Sequence, residues 1–194
     1  MPLMWTDFMP RFQLILASGS PRRQELLKLR NIPFIVRVPD IEETIDVSST
    51  LEDAAISLAR QKAEAIHEKD AWVLGCDTIV EVNGERLGKP IDAADAARML
   101  RLLSGKTHRV LTGCCLRQED TYHVFHQAAT VTFASLEEAE IRQYIETGEP
   151  YGKAGAYAIQ GFAARFITGI TGDYYAIMGL PVRVLYQHLK ELLH

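Results

Sequence analysis

The stretch Leu14-Ile15-Leu16-Ala17-Ser18-Gly19-Ser20-Pro21-Arg22-Arg23 constrains this chain more than any other. Leu14 to Ala17 read as a short buried strand. Ser18-Gly19-Ser20 reads as a tight turn in which Gly19 lets the backbone approach a ligand closely. Ser20 suits an N-cap, and Pro21 suits the first helical position, where its missing N–H is no loss. A helix through Arg22, Arg23 and on to Leu29 follows. A strand, a turn and a capped helix start therefore lead straight into two arginines. Free N–H groups at a helix N-terminus favour an anion, and guanidinium groups grip phosphate bidentately. The P-loop pattern G-x-x-x-x-G-K-[ST] is absent. On the turn alone, an ordinary strand-to-helix corner with two solvated arginines stands equally open.

A chain of 194 residues, 47% apolar and 24% charged, has ample material for a core in one domain or two small lobes. The net charge of −4 argues against a nucleic-acid partner, so any polyanion site must be a local concentration of Lys and Arg. Cys76, Cys114 and Cys115 form neither a disulfide framework nor a C-x-x-C metal spacing, which points to a reducing cytoplasm. Residues 1–12 lack the basic start and long apolar run of a signal peptide and are expected to be an N-terminal extension to a single domain over 1–194. No apolar run of roughly 18 residues is present to span a membrane.

Along the chain, Pro33 to Val38 reads as a strand and Asp40-Ile41-Glu42-Glu43-Thr44 as an acidic loop. Ser49-Thr50-Leu51-Glu52 reads as a capping box that opens a long helix carrying Lys62. Trp72 to Val82 is a strand, Asn83-Gly84 a hairpin turn, and Gly88-Lys89-Pro90 the end of the return strand. Asp92 caps a helix that stops at Ser104-Gly105. Thr107 to Leu116 and Tyr122 to Phe133 are long strands, and Ser135-Leu136-Glu137-Glu138 reads as another capping box, for a helix ending at Gly148. Tyr151 to Gly161 is too rich in Gly and Ala for a plain strand. Arg165 to Ile170 and Tyr174 to Met178 read as paired strands, and Pro181 opens the last helix. Helices alternate with strands, but hairpins join neighbours, so the expected fold is α/β on a mixed twisted sheet with flanking helices.

Asp77 is the most informative carboxylate. It interrupts the apolar run Trp72 to Val80, and a buried, unpaired carboxylate costs several kcal/mol, roughly. Either Asp77 and Thr78 mark a surface bulge, or Asp77 has a cation or a chemical task. Lys89 sits in a rigid frame between Gly88 and Pro90, Lys62 sits on a half-buried helix face, and Glu42 and Glu43 form an acidic pair. Each has a bland reading as a solvated or snorkelling side chain. Together, Arg22, Arg23, Lys62 and Lys89 with two or three carboxylates suit a metal-bound polyphosphate. The six histidines show no zinc spacing, and Cys114-Cys115 read as packing residues.

Ser18-Gly19-Ser20-Pro21-Arg22-Arg23, Gly75-Cys76-Asp77-Thr78, Gly88-Lys89-Pro90, Lys153-Ala154-Gly155-Ala156-Tyr157 with Gln160-Gly161, and Gly179-Leu180-Pro181 occur in an order that resembles the Maf family of nucleoside triphosphate pyrophosphatases. The resemblance runs from about Leu14 to the C-terminus. It implies two lobes around a nucleotide cleft, as in ITPase-like folds, a divalent metal (Mg or Mn) and a possible homodimer. It implies Asp77 as general base, Arg23, Lys62, Lys89 and Ser18 as the phosphate-binding set, and Glu42 with Asp77 as metal ligands. Arg22, Thr78 and Gln160 match positions tied to base selectivity in the dTTP/UTP branch. The 7-methyl-GTP branch looks more like Ser-Asp-Gln and Cys-Ala-Gly-Ser-Phe at the corresponding places. Two rival readings remain at this point: 7-methyl-GTP specificity, and a nucleotide-sensing regulator of division without turnover.

Overall fold

The computed structural model describes residues 13–192, so the expected extension over residues 1–12 lies outside the described residues. The expectation of a mixed α/β fold holds. Seven strands form one sheet: β1 (Leu14–Leu16), β2 (Ile35–Val36), β3 (Trp72–Val82), β4 (Glu85–Leu87), β5 (Thr107–Gln118), β6 (Thr121–Phe133) and β7 (Ile167–Gly172). Their order is β2-β1-β3-β5-β6-β7, with β4 hairpinned onto β3. β1 pairs parallel with β2 and β3, whereas β3/β4 and β6/β7 are antiparallel. The helices are α1 (Pro21–Leu29), α2 (Leu51–Glu64), α3 (Ala93–Leu103), α4 (Glu138–Glu146), α5 (Tyr174–Met178) and α6 (Val182–Leu192).

The chain divides into two compact units. One takes the described chain up to Asp77, Thr112–Gln127 and the chain from Gly179 onward; the other takes Thr78–Leu111 and Ala128–Met178. In the first unit, Ile15, Ala17, Ala59, Ala63, Ala71, Val73 and Cys115 form one core cluster, with Ile66 and Tyr122 packed on it. Its helix α2 lies unusually close to the sheet because glycine faces it twice. A Cβ at Gly75 would fall well within 2.5 Å of the Ala59 carbonyl oxygen, and one at Gly113 would fall 2.5 Å from the Ala55 carbonyl carbon. In the second unit, His108, Phe133, Tyr157 and Phe166 pack as an aromatic core, with Tyr157 OH and His108 Nε2 2.8 Å apart.

Several local expectations need correction. The strand expected over Pro33 to Val38 shrinks to Ile35–Val36: Pro33 has no N–H to give a ladder, and past Val36 a single bond, Arg37 N–H to the Leu16 carbonyl at 3.0 Å, continues the pairing. Thr50, not Ser49, caps α2: its Oγ1 accepts the Asp53 N–H at 3.1 Å, while the Ser49 hydroxyl is spent on the Asp46 carbonyl at 2.6 Å. The second capping box is formed by Glu137 and Glu140, two residues later than Ser135 would place it. Ser20 occupies the N-cap position of α1 but makes no side-chain cap bond. The largest miss is Tyr174 to Met178, which is a helix and not a strand. The Asp173 carboxylate accepts the N–H groups of Tyr175 (2.9 Å) and Ala176 (3.4 Å), so it starts a helical turn in place of the second strand. Its supposed partner begins at Ile167, and Arg165 lies in a 3₁₀ turn over Phe162–Phe166.

Candidate active site

The first unit holds six of the expected residues and brings four of them together as two pairs, Ser18 with Arg23 and Lys62 with Asp77. The β1–α1 corner presents Ser18 and Arg23, both buried. The Arg23 guanidinium donates through Nε to the Gly179 carbonyl at 2.8 Å and through Nη1 to Ser18 Oγ at 3.0 Å. Ser18 Oγ also accepts the Ser20 N–H at 3.2 Å, so one hydroxyl ties the turn to the arginine. A guanidinium held at two points loses little further freedom on meeting an oxyanion. Arg22, its neighbour on α1, is half-buried.

Lys62 and Asp77 meet as an ion pair between α2 and β3, with side chains only 11% and 14% exposed. Both are largely withdrawn from water, and removing Lys62 would strand the Asp77 carboxylate. Breaking such a buried pair costs about 3–5 kcal/mol. The sequence-level alternative of a surface bulge at Asp77 therefore gives way to a paired carboxylate inside a regular strand. The Lys62 ammonium also lies 3.1 Å from Glu43 Oε1, so one cation bridges two carboxylates.

In the acidic loop, Glu42 is exposed, and Glu43 is the member of the pair brought against Lys62. The loop is fixed by Gln61, whose amide accepts the Thr44 N–H at 3.0 Å and donates to the Thr44 carbonyl at 2.8 Å. No periodicity in the sequence signals this contact, because Gln61 is simply a polar residue beside Lys62 on an amphipathic helix. The Gly179 carbonyl is equally silent, since any residue type supplies a carbonyl.

Thr78, Lys89 and Gln160 belong to the second unit. Thr78 follows Asp77 on β3 and is half-buried, whereas Lys89 and Gln160 are exposed. The loop carrying Lys89 is tied to the Gly/Ala-rich segment by the Gly155 N–H, which donates to the Gly88 carbonyl at 3.0 Å. That segment forms a 3₁₀ turn over Ala154–Ala156, with Gly155 at φ 69°, a left-handed conformation suited to glycine. Gln160 follows in the connection to the next 3₁₀ turn, Phe162–Phe166.

Cys114 and Cys115 behave as packing groups. Burial raises the Cys115 thiol to about 11 and pushes Cys114 up as well. Cys76 Sγ and Cys114 Sγ lie 3.5 Å apart. Among the described residues no three His, Cys, Asp or Glu side chains converge into a metal cage. No helix among them is long and apolar enough to cross a membrane.

Comparison with known proteins extends these observations. A family model described as Maf-like protein matches residues 13–192. The chain is 51% identical over 181 residues to a dTTP/UTP pyrophosphatase of Bacillus cytotoxicus, covering 92% of this chain and 95% of that protein. It is 49% identical to a dTTP/UTP pyrophosphatase of Bacillus cereus (strain AH187) over the same shares. Among solved structures, the Ham1 protein of Staphylococcus aureus superposes with a TM-score of 0.53 at 17% identity, covering 92% of this chain and 98% of that one. At that identity the likeness is one of fold.

Proposed function

This chain belongs to the Maf family, and from that membership and the Lys62–Asp77 pair we propose that it hydrolyses dTTP and UTP to the nucleoside monophosphate and pyrophosphate. The observation that carries the reading is a strand-borne carboxylate withdrawn from water and held by a buried ammonium, in the same unit as a braced arginine. The pyrimidine preference is supported by the two Bacillus relatives, each described as a dTTP/UTP pyrophosphatase.

In this proposal Asp77 is the general base. Paired with Lys62 it is fixed in direction, ready to orient or deprotonate a water. An arriving triphosphate competes for the Lys62 ammonium and so loosens its hold on the carboxylate. Arg23, Lys62 and Lys89 neutralise phosphate oxygens, and Ser18 keeps Arg23 in place. Attack in line on the α-phosphorus then expels pyrophosphate.

A divalent cation, Mg²⁺ or Mn²⁺, belongs to the same proposal. Mg²⁺ takes one or two carboxylates, with phosphate oxygens and waters completing its shell. Asp77 and the acidic loop fit that donor chemistry, with Glu42 as the second ligand first expected and Glu43 already facing Lys62. When bound, the ion neutralises phosphate charge and makes the α-phosphorus easier to attack.

Arg22, Thr78 and Gln160 are the proposed base-reading residues. A side-chain amide has both donor and acceptor, matching the O4 and N3–H edge of thymine or uracil. A cytoplasmic setting fits the three free cysteines. Pyrophosphate release over dTTP, UTP, dCTP, dATP, dGTP and 7-methyl-GTP, with Mg²⁺ or Mn²⁺, tests the reading. dTTP and UTP should lead. A lead for 7-methyl-GTP would move the chain to the other branch, and binding without release would make it a sensor.

A further inference from the structure

Gln160 is exposed and lies between two short 3₁₀ turns, where no regular ladder fixes the backbone. One half-buried carboxylate supplies what the ladder does not. Glu149 accepts the Phe162 N–H at 2.8 Å through Oε2 and the Ala163 N–H at 3.3 Å through Oε1. The Tyr144 hydroxyl donates to the same Oε1 at 2.8 Å, and its oxygen accepts the Ala158 N–H at 3.3 Å. The backbone is therefore gripped on both sides of Gln160, before it at Ala158 and after it at Phe162 and Ala163. Gly161 completes the arrangement, because a Cβ there would fall within the Glu149 carboxylate.

The grip itself is firmly mounted. Tyr144 is fully buried, with its ring edge-on to Phe166 at 5.3 Å between centroids. Lys153 Nζ donates to the Glu149 carbonyl at 2.6 Å. Bonds to an ionised carboxylate are about twice as strong as neutral ones, so they hold the segment in one conformation. A side chain that reads a base by hydrogen bonds gains selectivity only if its backbone does not drift.

We propose that Glu149 is the positioning residue for base selection: its carboxylate, seconded by Tyr144, fixes the segment that presents Gln160 to the pyrimidine. The proposal rests on the base-reading role given to Gln160. Glu149 itself touches no substrate in it.

The test compares kcat/KM for dTTP and dATP in Glu149→Gln, Tyr144→Phe, Gln160→Ala and the double variant E149Q/Q160A. Gln160→Ala should lower the dTTP preference about tenfold or more. Glu149→Gln leaves one acceptor oxygen for three donors, so it should lower the preference severalfold, mainly through a higher KM for dTTP. Tyr144→Phe should fall between wild type and Glu149→Gln. The double variant should lose no more than Gln160→Ala, because both changes act through one group. A merely structural role would lower both substrates together and leave the ratio intact. Unchanged ratios in Glu149→Gln and Tyr144→Phe, beside a lowered ratio in Gln160→Ala, overturn the proposal alone. An unchanged ratio in Gln160→Ala overturns the base-reading role and the proposal with it. If Glu149→Gln fails to fold, the Tyr144→Phe ratio decides.

Discussion

Replacing Gly75 with alanine adds one methyl group where α2 meets β3. That methyl would lie well within 2.5 Å of the Ala59 carbonyl oxygen, 2.9 Å from the Ala63 nitrogen and 3.1 Å from the Ala59 carbonyl carbon, whereas ordinary contact begins at 3.4 Å. All three are backbone atoms of α2, so no side chain can swing aside to relieve the overlap. The helix must back off the strand by about 1 Å or more. Overpacking of this kind costs about 1–3 kcal/mol, and for a chain of this length each kcal/mol lowers Tm by roughly 2–4 °C. The effect on activity should be larger. Lys62 rides on α2 and Asp77 on β3, so the displacement falls on their ion pair, and misplacement by about 1 Å costs roughly 100-fold in rate. Pyrophosphate release from dTTP gives the rate, and a thermal melt gives the stability. Gly169→Ala is the control, since its added methyl meets nothing within 4 Å. A Gly75→Ala protein with wild-type Tm and kcat would refute the argument that glycine sets the spacing of the site.

Asp77→Asn should lower kcat by about 10²–10⁴-fold while nucleotide binding, followed by calorimetry, persists; near-normal turnover in a folded variant would remove Asp77 from the mechanism. Exhaustive EDTA treatment should stop turnover, and added Mg²⁺ or Mn²⁺ should restore it; undiminished activity in EDTA would discard the metal and its carboxylates together. Burial lowers His108 from 6.5 to about 4. The unfolded chain therefore takes up this proton first on acidification, and the neutral buried ring contributes stability that is intact above about pH 6.5 and lost as pH falls toward 4. The loss amounts to roughly 3 kcal/mol, read from urea unfolding at several pH values. His108→Gln should flatten that slope, and an unaltered slope would show that another group carries it.

Much of the fold was legible because its signals are local. The strand Trp72–Val82, the Asn83-Gly84 hairpin and the Asp92 cap lie where the pattern put them, since each rests on neighbours in the chain. Tyr174 to Met178 was misread for the complementary reason: a short apolar run has no period of its own, and the Asp173 cap decided it. The site divides along the same line. The braced arginine was foreseeable from the corner that bears it. The Gln61 hold on Thr44, 17 residues away, and the Glu149 hold on Phe162 were not. Amides and carboxylates that bind distant backbone leave no periodic mark.

The sulfur atoms beside this site offer one more consequence. Cys76, Cys114 and Cys115 are free and wholly buried, with Cys76 directly preceding Asp77. A bulky thiol reagent cannot reach any of them while β3 and β5 stay closed over the core. Labelling must therefore wait for an opening event, and its rate reads the free energy of that opening in the strands that bear the thiols. Three sulfur reporters are thus built into the sequence, and no probe needs to be introduced. If bound nucleotide tightens Lys62, Asp77 and their surroundings, Cys76 should label more slowly in its presence, so protection can be measured without turnover.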